Sequence, residues 1–228
     1  MNTSMGTAEL MTYIGRQMDH FFPDQYPFIG QDIDSAFHEA LDRTEFCFRH
    51  ISLPAYCQNG IASFSHLHSD QYSQFLFFLS NSLWKRSANK PICDKLILLN
   101  KLLNGMFYSY KCLLPNIFLF GHPVGTIIGN AVYSDFLVIF QNVTVNTDTD
   151  DQGNPAPELG KGLFLAAGAK IIGNKRIGDR VSIGVDALVH QTEIPDDSVV
   201  IRANDGVVQI QPRKKHQCMA QKYFNVPI

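Results

Sequence analysis

The chain has 228 residues, a formal net charge of −2, 45% hydrophobic and 18% charged residues, so it can bury a core as one large domain or two small ones and carries no global basic field for nucleic acid. Its five cysteines, Cys47, Cys57, Cys93, Cys112 and Cys218, are scattered without a CxxC pair, which excludes a disulfide framework and a zinc ribbon and predicts buried thiols in a reducing cytoplasm. The opening MNTSMGTAELMTY has neither a basic nor an apolar leader region, and no run approaches the ~20 apolar residues of a membrane span.

Residues 1 to 30, with Pro23, Pro27 and Gly30 among aromatics, predict an irregular lead-in. A helix is expected from Asp32, with Ile33, Phe37, Leu41, Phe48 and Ile51 near one face and Asp32 or Asp34 as its cap. Pro54 to Ser65 reads as a loop with Asn59-Gly60 as its turn. A second helix starts at Ser69 or Asp70 and gathers Tyr72, Phe75, Leu76, Leu79 and Leu83 on a broad apolar face. Asn89 and Pro91 restart the chain as a third helix, with Ile92, Leu96, Leu98, Leu99, Leu102 and Leu103 apolar, ending near Gly105. These apolar faces call for packing on one another and on a neighbouring subunit, with membrane or peptide binding as the alternative.

From Phe107 the pattern turns aromatic and β-branched. Ile127, Tyr133, Ile139 and Val145 fall six apart, as do Leu159, Leu165, Ile171, Ile177, Ile183, Val189, Pro195 and Ile201. Six is not a helical period, and it predicts short strands repeating as one unit, a parallel β-helix of roughly four triangular coils. Small residues follow several beats (Gly160, Ala166, Gly178, Gly184), as expected where a corner needs positive φ or close backbone approach. The polar residues 146 to 158 break the register and read as a loop thrown out from the coil, and the tail from Pro212 leaves it. Arg213, Lys214, Lys215 and His216 are either a solvated face or a contact for a phosphate-bearing cofactor.

Two histidines lie in the predicted coil. His190 is expected at a solvent-facing corner. His122, in FLFGHPVGTIIG, is expected on a rigid, mostly apolar wall. In the helical half, FSHLHSDQYSQF brings His66, His68 and Asp70 together, readable as a helix cap, a substrate contact or metal ligands.

The strings GHPVGTIIGNAVYSDFLVIFQNVTVN and PELGKGLFLAAGAKIIGNKRIGDRVSIGVDAL closely resemble the serine acetyltransferase branch of the hexapeptide-repeat acyltransferases. The motifs cover about residues 107 to 201, and the first half matches only by layout. The resemblance implies an α+β chain: an N-terminal α-helical domain (1–106), a left-handed parallel β-helix (107–211) and a C-terminal tail (212–228). It further implies a homotrimer or dimer of trimers with acetyl-CoA in a groove between prisms, no metal, and His122 as general base in acetyl transfer to a small-molecule hydroxyl. For the cofactor it points to Ala166, Ala167, Lys170 and Gly184, and for substrate contact Asp70 and His68 are the candidates. Ile228 resembles the C-terminal isoleucine that serine acetyltransferases insert into O-acetylserine sulfhydrylase. The chain departs from the branch in three respects. Gly121 stands where it has an aspartate before the histidine, nothing acidic lies between Asp94 and Asp135, and Pro155 and Ala156 replace an Arg-His pair ahead of Pro157. The acceptor is therefore serine at an altered site, or a sugar or nucleotide-sugar. The alternative from another class is a non-catalytic coil that binds CoA or a partner as a scaffold.

Overall fold

The computed structural model describes residues 1–146, 152–153 and 157–228; most of the expected loop at 146 to 158, including Pro155 and Ala156, lies outside the described residues. The first half folds as four helices, α1 (Thr7–Phe21), α2 (Gln31–Arg49), α3 (Ser69–Ser87) and α4 (Lys90–Asn104), and the second as short parallel strands. No helix among the described residues is long and apolar enough to cross a membrane.

The expected irregular lead-in is instead α1. Leu10, Ile14 and Met18, one every four residues, are buried along it, and Gly6 N–H donates to Glu9 Oε2 at 3.0 Å at its start. The breakers that suggested a loop, Pro23, Pro27 and Gly30, all lie beyond its end. α2 begins after Gly30 with no side-chain cap, because the Asp32 carboxylate is turned to Ser87 Oγ (2.9 Å) and Asn89 Nδ2 (3.2 Å) at the α3–α4 turn. Within the expected loop, Cys57–Gln58 and Ile61–Phe64 pair antiparallel, and Asn59 (φ 53) with Gly60 (φ 77) supply the two left-handed residues of a tight hairpin turn. α4 follows its sequence signals: Asn89 Oδ1 accepts from Ile92 N–H, and Gly105 (φ 65) closes the helix. Its Ile92, Leu96 and Leu99 are buried, whereas Leu98, Leu102 and Leu103 are exposed.

The strands form three parallel ladders that the chain visits in turn. The first stacks Phe107–Tyr108, Ile127–Ile128, Thr144–Asn146, Lys170–Ile172 and Leu188–His190. The second stacks Phe118–Phe120, Leu137–Ile139, Phe164–Leu165, Ser182–Ile183 and Ser198–Arg202. The third pairs Val132–Tyr133 with Glu158–Leu159 and continues through Ile177 and Ile194. One aligned residue per strand points inward and is buried: Tyr108, Ile128, Val145, Ile171, Val189 in the first ladder; Phe120, Ile139, Leu165, Ile183, Val200 in the second; Tyr133, Leu159, Ile177, Ile194 in the third. The six-residue beat is thus the step from one ladder to the next. It slips at both ends, since Ile128, Ile194 and Val200 occupy the inward positions expected for Ile127, Pro195 and Ile201, all three of which are exposed. The cause is corner length: Ile128 to Tyr133 and Val189 to Ile194 are each one residue shorter than the regular step.

Parallel winding stops at Ser198–Arg202, and the chain returns antiparallel over Val208–Pro212 before the tail crosses the outer face of the second ladder. There Tyr223 lies 5.9 Å from both Phe140 and Phe164, and Phe224 lies 5.3 Å from Phe136 and bridges to Ile51 of the helical half. Arg213 fixes the start of the tail to Asp197, whose carboxyl is held well below its usual range by Arg180 and Arg213 together.

The five cysteines are free. Burial pushes the Cys47 and Cys93 thiols up to about 12 and Cys112 to about 11, so almost no thiolate exists on them near neutral pH. A thiol reagent on the native protein is expected to label the half-buried Cys57 first and to reach Cys47, Cys93 and Cys112 only on unfolding. Labelling of Cys47 as fast as Cys57, read by mass spectrometry, would contradict this packing.

Candidate active site

His122 sits where the second ladder hands the chain to the first. Later steps at this edge run six residues between inward positions, as in Ile139 to Val145 or Leu165 to Ile171, but Phe120 to Ile128 takes eight. The two extra residues bulge the corner outward. Val124 O still accepts from Asn142 N–H (2.9 Å) and Asn142 Oδ1 crowds Gly125, so Gly125 keeps the regular corner position and His122-Pro123 lie ahead of it. His122 is left-handed (φ 50), and its imidazole is 79% exposed. The expected apolar wall is absent on that side because the bulge carries the ring off the coil surface.

Asp70 comes to this corner from α3, whose Phe77 and Phe78 rings lie 5.8 and 5.3 Å from Phe118 of the strand that leads to His122. Gln74 Nε2 and Cys47 Sγ both donate to Phe118 O, at 3.0 and 3.2 Å, locking helix to strand. The Asp70 carboxylate is buried. Its Oδ2 accepts from the His122 backbone N–H (3.0 Å) and lies 3.1 Å from Nδ1, while Oδ1 accepts from Ser69 Oγ at 3.1 Å. Its place in the first turn of α3 adds the favourable field of the helix N-terminus. The cap reading of Asp70 gives way to this role, because a carboxylate facing the coil cannot also close its own helix. A carboxylate only accepts, so Nδ1 carries a proton, and in the neutral ring Nε2 is the acceptor.

His68 precedes α3 at the N-cap position and sets its ring edge-on to Tyr56 at 5.5 Å. Its Nδ1 and the Tyr56 hydroxyl are both buried without a partner, and burial with the nearby Asp70 charge drives the Tyr56 phenol well above its usual range. His66 takes a different path, pairing with Ser4 Oγ at 2.8 Å. Among the described residues no group of three His, Cys, Asp or Glu side chains could hold a metal.

Ala166, Ala167 and Gly184 lie on the same edge as His122, on later coils. Ala166 N–H bonds Ile183 O (3.0 Å), and Asp186 N–H bonds Ala167 O (3.0 Å). Lys170 follows on the first ladder, its ammonium donating to Gly168 O at 2.9 Å. Gly184 is small because the next coil requires it: a Cβ there would stand 2.9 Å from Val200 O. His190 is exposed at the end of its strand. Beside His122, Gly121 lies under the Phe140 ring, 3.0 Å from where its Cβ would be. Sequence reasoning missed Phe140, Phe164 and Tyr223 as neighbours of the corner, since only the returning tail brings the last of them there.

The fold thus combines six-residue repeats wound into three parallel ladders with packed helices ahead of them and a carboxylate-bound histidine on one corner. No protein-family model matches the chain. Among curated proteins it is 30% identical over 120 residues to a serine acetyltransferase of Synechococcus elongatus (52% of this chain, 49% of that protein). It is 35% identical over 89 residues to that of Staphylococcus aureus (39% and 41%). The chain thus spans half or less of the length of these curated relatives. Among solved structures, the Vibrio cholerae serine acetyltransferase superposes with a TM-score of 0.71 at 18% identity over 94% of this chain and 82% of that one. The Neisseria gonorrhoeae enzyme gives 0.67 at 15% identity (95% and 83%), and a serine acetyltransferase solved with CoA gives 0.66 at 16% (91% and 86%). The chain is thus similar in part of its sequence to serine acetyltransferases and shares the fold of their solved structures.

Proposed function

We propose that the protein transfers the acetyl group of acetyl-CoA to a hydroxyl of serine or of a sugar or nucleotide-sugar, with His122 as general base. The Asp70–His122 pair carries this reading, because it holds the imidazole by Nδ1 and leaves Nε2 on the side away from the carboxylate. An acceptor hydroxyl has too high a pKa to attack as an anion near neutrality. Nε2 takes its proton as the oxygen attacks the thioester carbonyl, Asp70 stabilises the imidazolium formed, and the same proton passes to the departing CoA thiolate as the carbon–sulfur bond breaks. No covalent enzyme intermediate is needed, in keeping with the buried cysteines.

The co-substrate runs along the edge below His122, past Ala166, Ala167 and Gly184 towards Lys170, where small side chains leave the wall open. His68 and Asp70 form the helical side of the acceptor site. The chain divides into helical (1–106), coil (107–211) and tail (212–228) parts, with left-handed winding of the coil. A homotrimer or dimer of trimers completes the groove. This is supported by Val124, Ile127, Phe107, Val185 and Leu188, exposed apolar residues that flank the His122 edge on the first-ladder side. Ile228 packs on Gly162, and its N–H donates to Gln221 Oε1 (3.0 Å). An O-acetylserine sulfhydrylase partner that gripped it would therefore have to lift the tail.

The test is release of free thiol from acetyl-CoA with a panel of amino acids, sugars and nucleotide-sugars. Turnover with one class of acceptor is expected. Tight CoA binding with no thiol release from any of the panel would favour the scaffold reading instead.

A further inference from the structure

A cavity of about 310 Å³ lies between the outer face of the second ladder and the start of the tail, floored by Ser182 and Val199 and walled by Pro212, Arg213 and Met219. Two of its lining residues carry a polar atom that is buried without a partner, Ser182 Oγ and Arg213 Nε. Ser182 is 3% exposed. The Arg213 guanidinium is held in place through its other nitrogens: one bonds Asp197 Oδ1 (2.5 Å), the other the carbonyls of Lys215 and His216, and its backbone N–H bonds Asp197 O at 2.7 Å. Its Nε–H is buried without a partner, and it can only donate. An unpartnered donor and an unpartnered hydroxyl on two residues lining one cavity suit a group that presents acceptor oxygens.

Charge narrows the class. Arg180 and Arg213 share the single carboxylate of Asp197, Lys214 and Lys215 add two cations to the lining, and no lining residue is acidic. The rest of the wall combines apolar Val199, Pro212 and Met219 with the amides Gln211 and Gln217. We infer that this cavity binds a carboxylate or phosphate carried on a short apolar stem. Its floor is the third strand along from the one that leads to His122, about 14 Å away at the usual strand spacing, so the anion does not touch the reacting atoms. The site ties down the segment that goes on to place Tyr223 over Phe140 and Phe164. Two sources have this chemistry: a free small acid or phosphate ester, and the phosphorylated end of the phosphopantetheine arm.

Calorimetric titration of the whole chain with butyrate, n-butyl phosphate and 4′-phosphopantetheine tests the inference without any turnover. At least one probe is expected to bind, and Ser182→Ala and the surface pair Lys214→Ala/Lys215→Ala are each expected to weaken it about tenfold. Both variants should keep the native cysteine-labelling pattern. Displacement of butyl phosphate by CoA assigns the site to the cofactor arm, and simultaneous binding of the two assigns it to a free acid. Absence of binding by all three probes, or binding that neither variant weakens, overturns the inference.

Discussion

Replacing His122 with alanine is expected to lower kcat for acetyl transfer by about 10²- to 10⁴-fold while leaving the KM for acetyl-CoA nearly unchanged. The variant should fold, because the imidazole is mostly exposed and the buried Asp70 carboxylate keeps two donors, the His122 backbone N–H and Ser69 Oγ. A loss of rate would then report on the imidazole and not on the scaffold. Asp70 separates the base's parts further. In Asp70→Asn the amide oxygen can still accept from both His122 nitrogens, with its NH2 turned to Ser69 Oγ, so the tautomer survives and only the charge that stabilises the imidazolium is lost. Asp70→Ala removes the acceptor as well and frees the ring. Activity should therefore fall in the order wild type, Asp70→Asn, Asp70→Ala. Full turnover by His122→Ala, measured as thiol release from acetyl-CoA, would remove the imidazole from the mechanism; equal rates for the two Asp70 variants would mean that orientation adds nothing beyond charge.

The coil was legible because its physics is local. A repeating inward residue and a fixed step length leave a period in the chain, and Leu159 to Val189 all point inward on the beat. The beat failed only where corner length changes, at Ile127 and after Val189. The small residues after the beats were ambiguous between two causes, and the structure separates them: Gly160, Gly178 and Gly184 keep ordinary φ and are small for close approach, while positive φ falls two residues later, at Gly162, Arg180 and Asp186. His122 was legible through its neighbours in sequence. Its partner was not, because Asp70 reaches it across 52 residues through the docking of α3 on Phe118. The one signal was an acid at the start of a helix whose every following face is apolar or buried. Likewise, nothing in Arg213 to Ile228 reveals that the tail turns back, since the contacts that hold it, Asp197, Phe140 and Ile51, lie in three distant elements.

Close approach at those glycines sets the second large effect. A Cβ at Gly160 would stand 2.4 Å from both the carbonyl carbon and the oxygen of Gly178 and 2.6 Å from Asp179 N. These are backbone atoms of the next coil, so no rotamer change can make room, and the coils have to part. The coil beyond is equally close, since a Cβ at Gly178 would stand 2.5 Å from Asp196 N, so the next coil has little room to yield. Gly160→Ala is therefore expected to cost about 3 kcal/mol or more, at the upper end of overpacking, seen as a lowered denaturation midpoint with an unchanged m-value. Gly60→Ala is the control. Nothing lies within 4 Å of its Cβ position, and only its positive φ opposes the methyl group, so its cost should be about 1 kcal/mol. Because the 160–178 contact lies on the third ladder, away from the edge that carries His122, Gly160→Ala should lose activity only in proportion to the unfolded fraction. A midpoint for Gly160→Ala equal to that of Gly60→Ala would show that the coils are not in backbone contact at this corner.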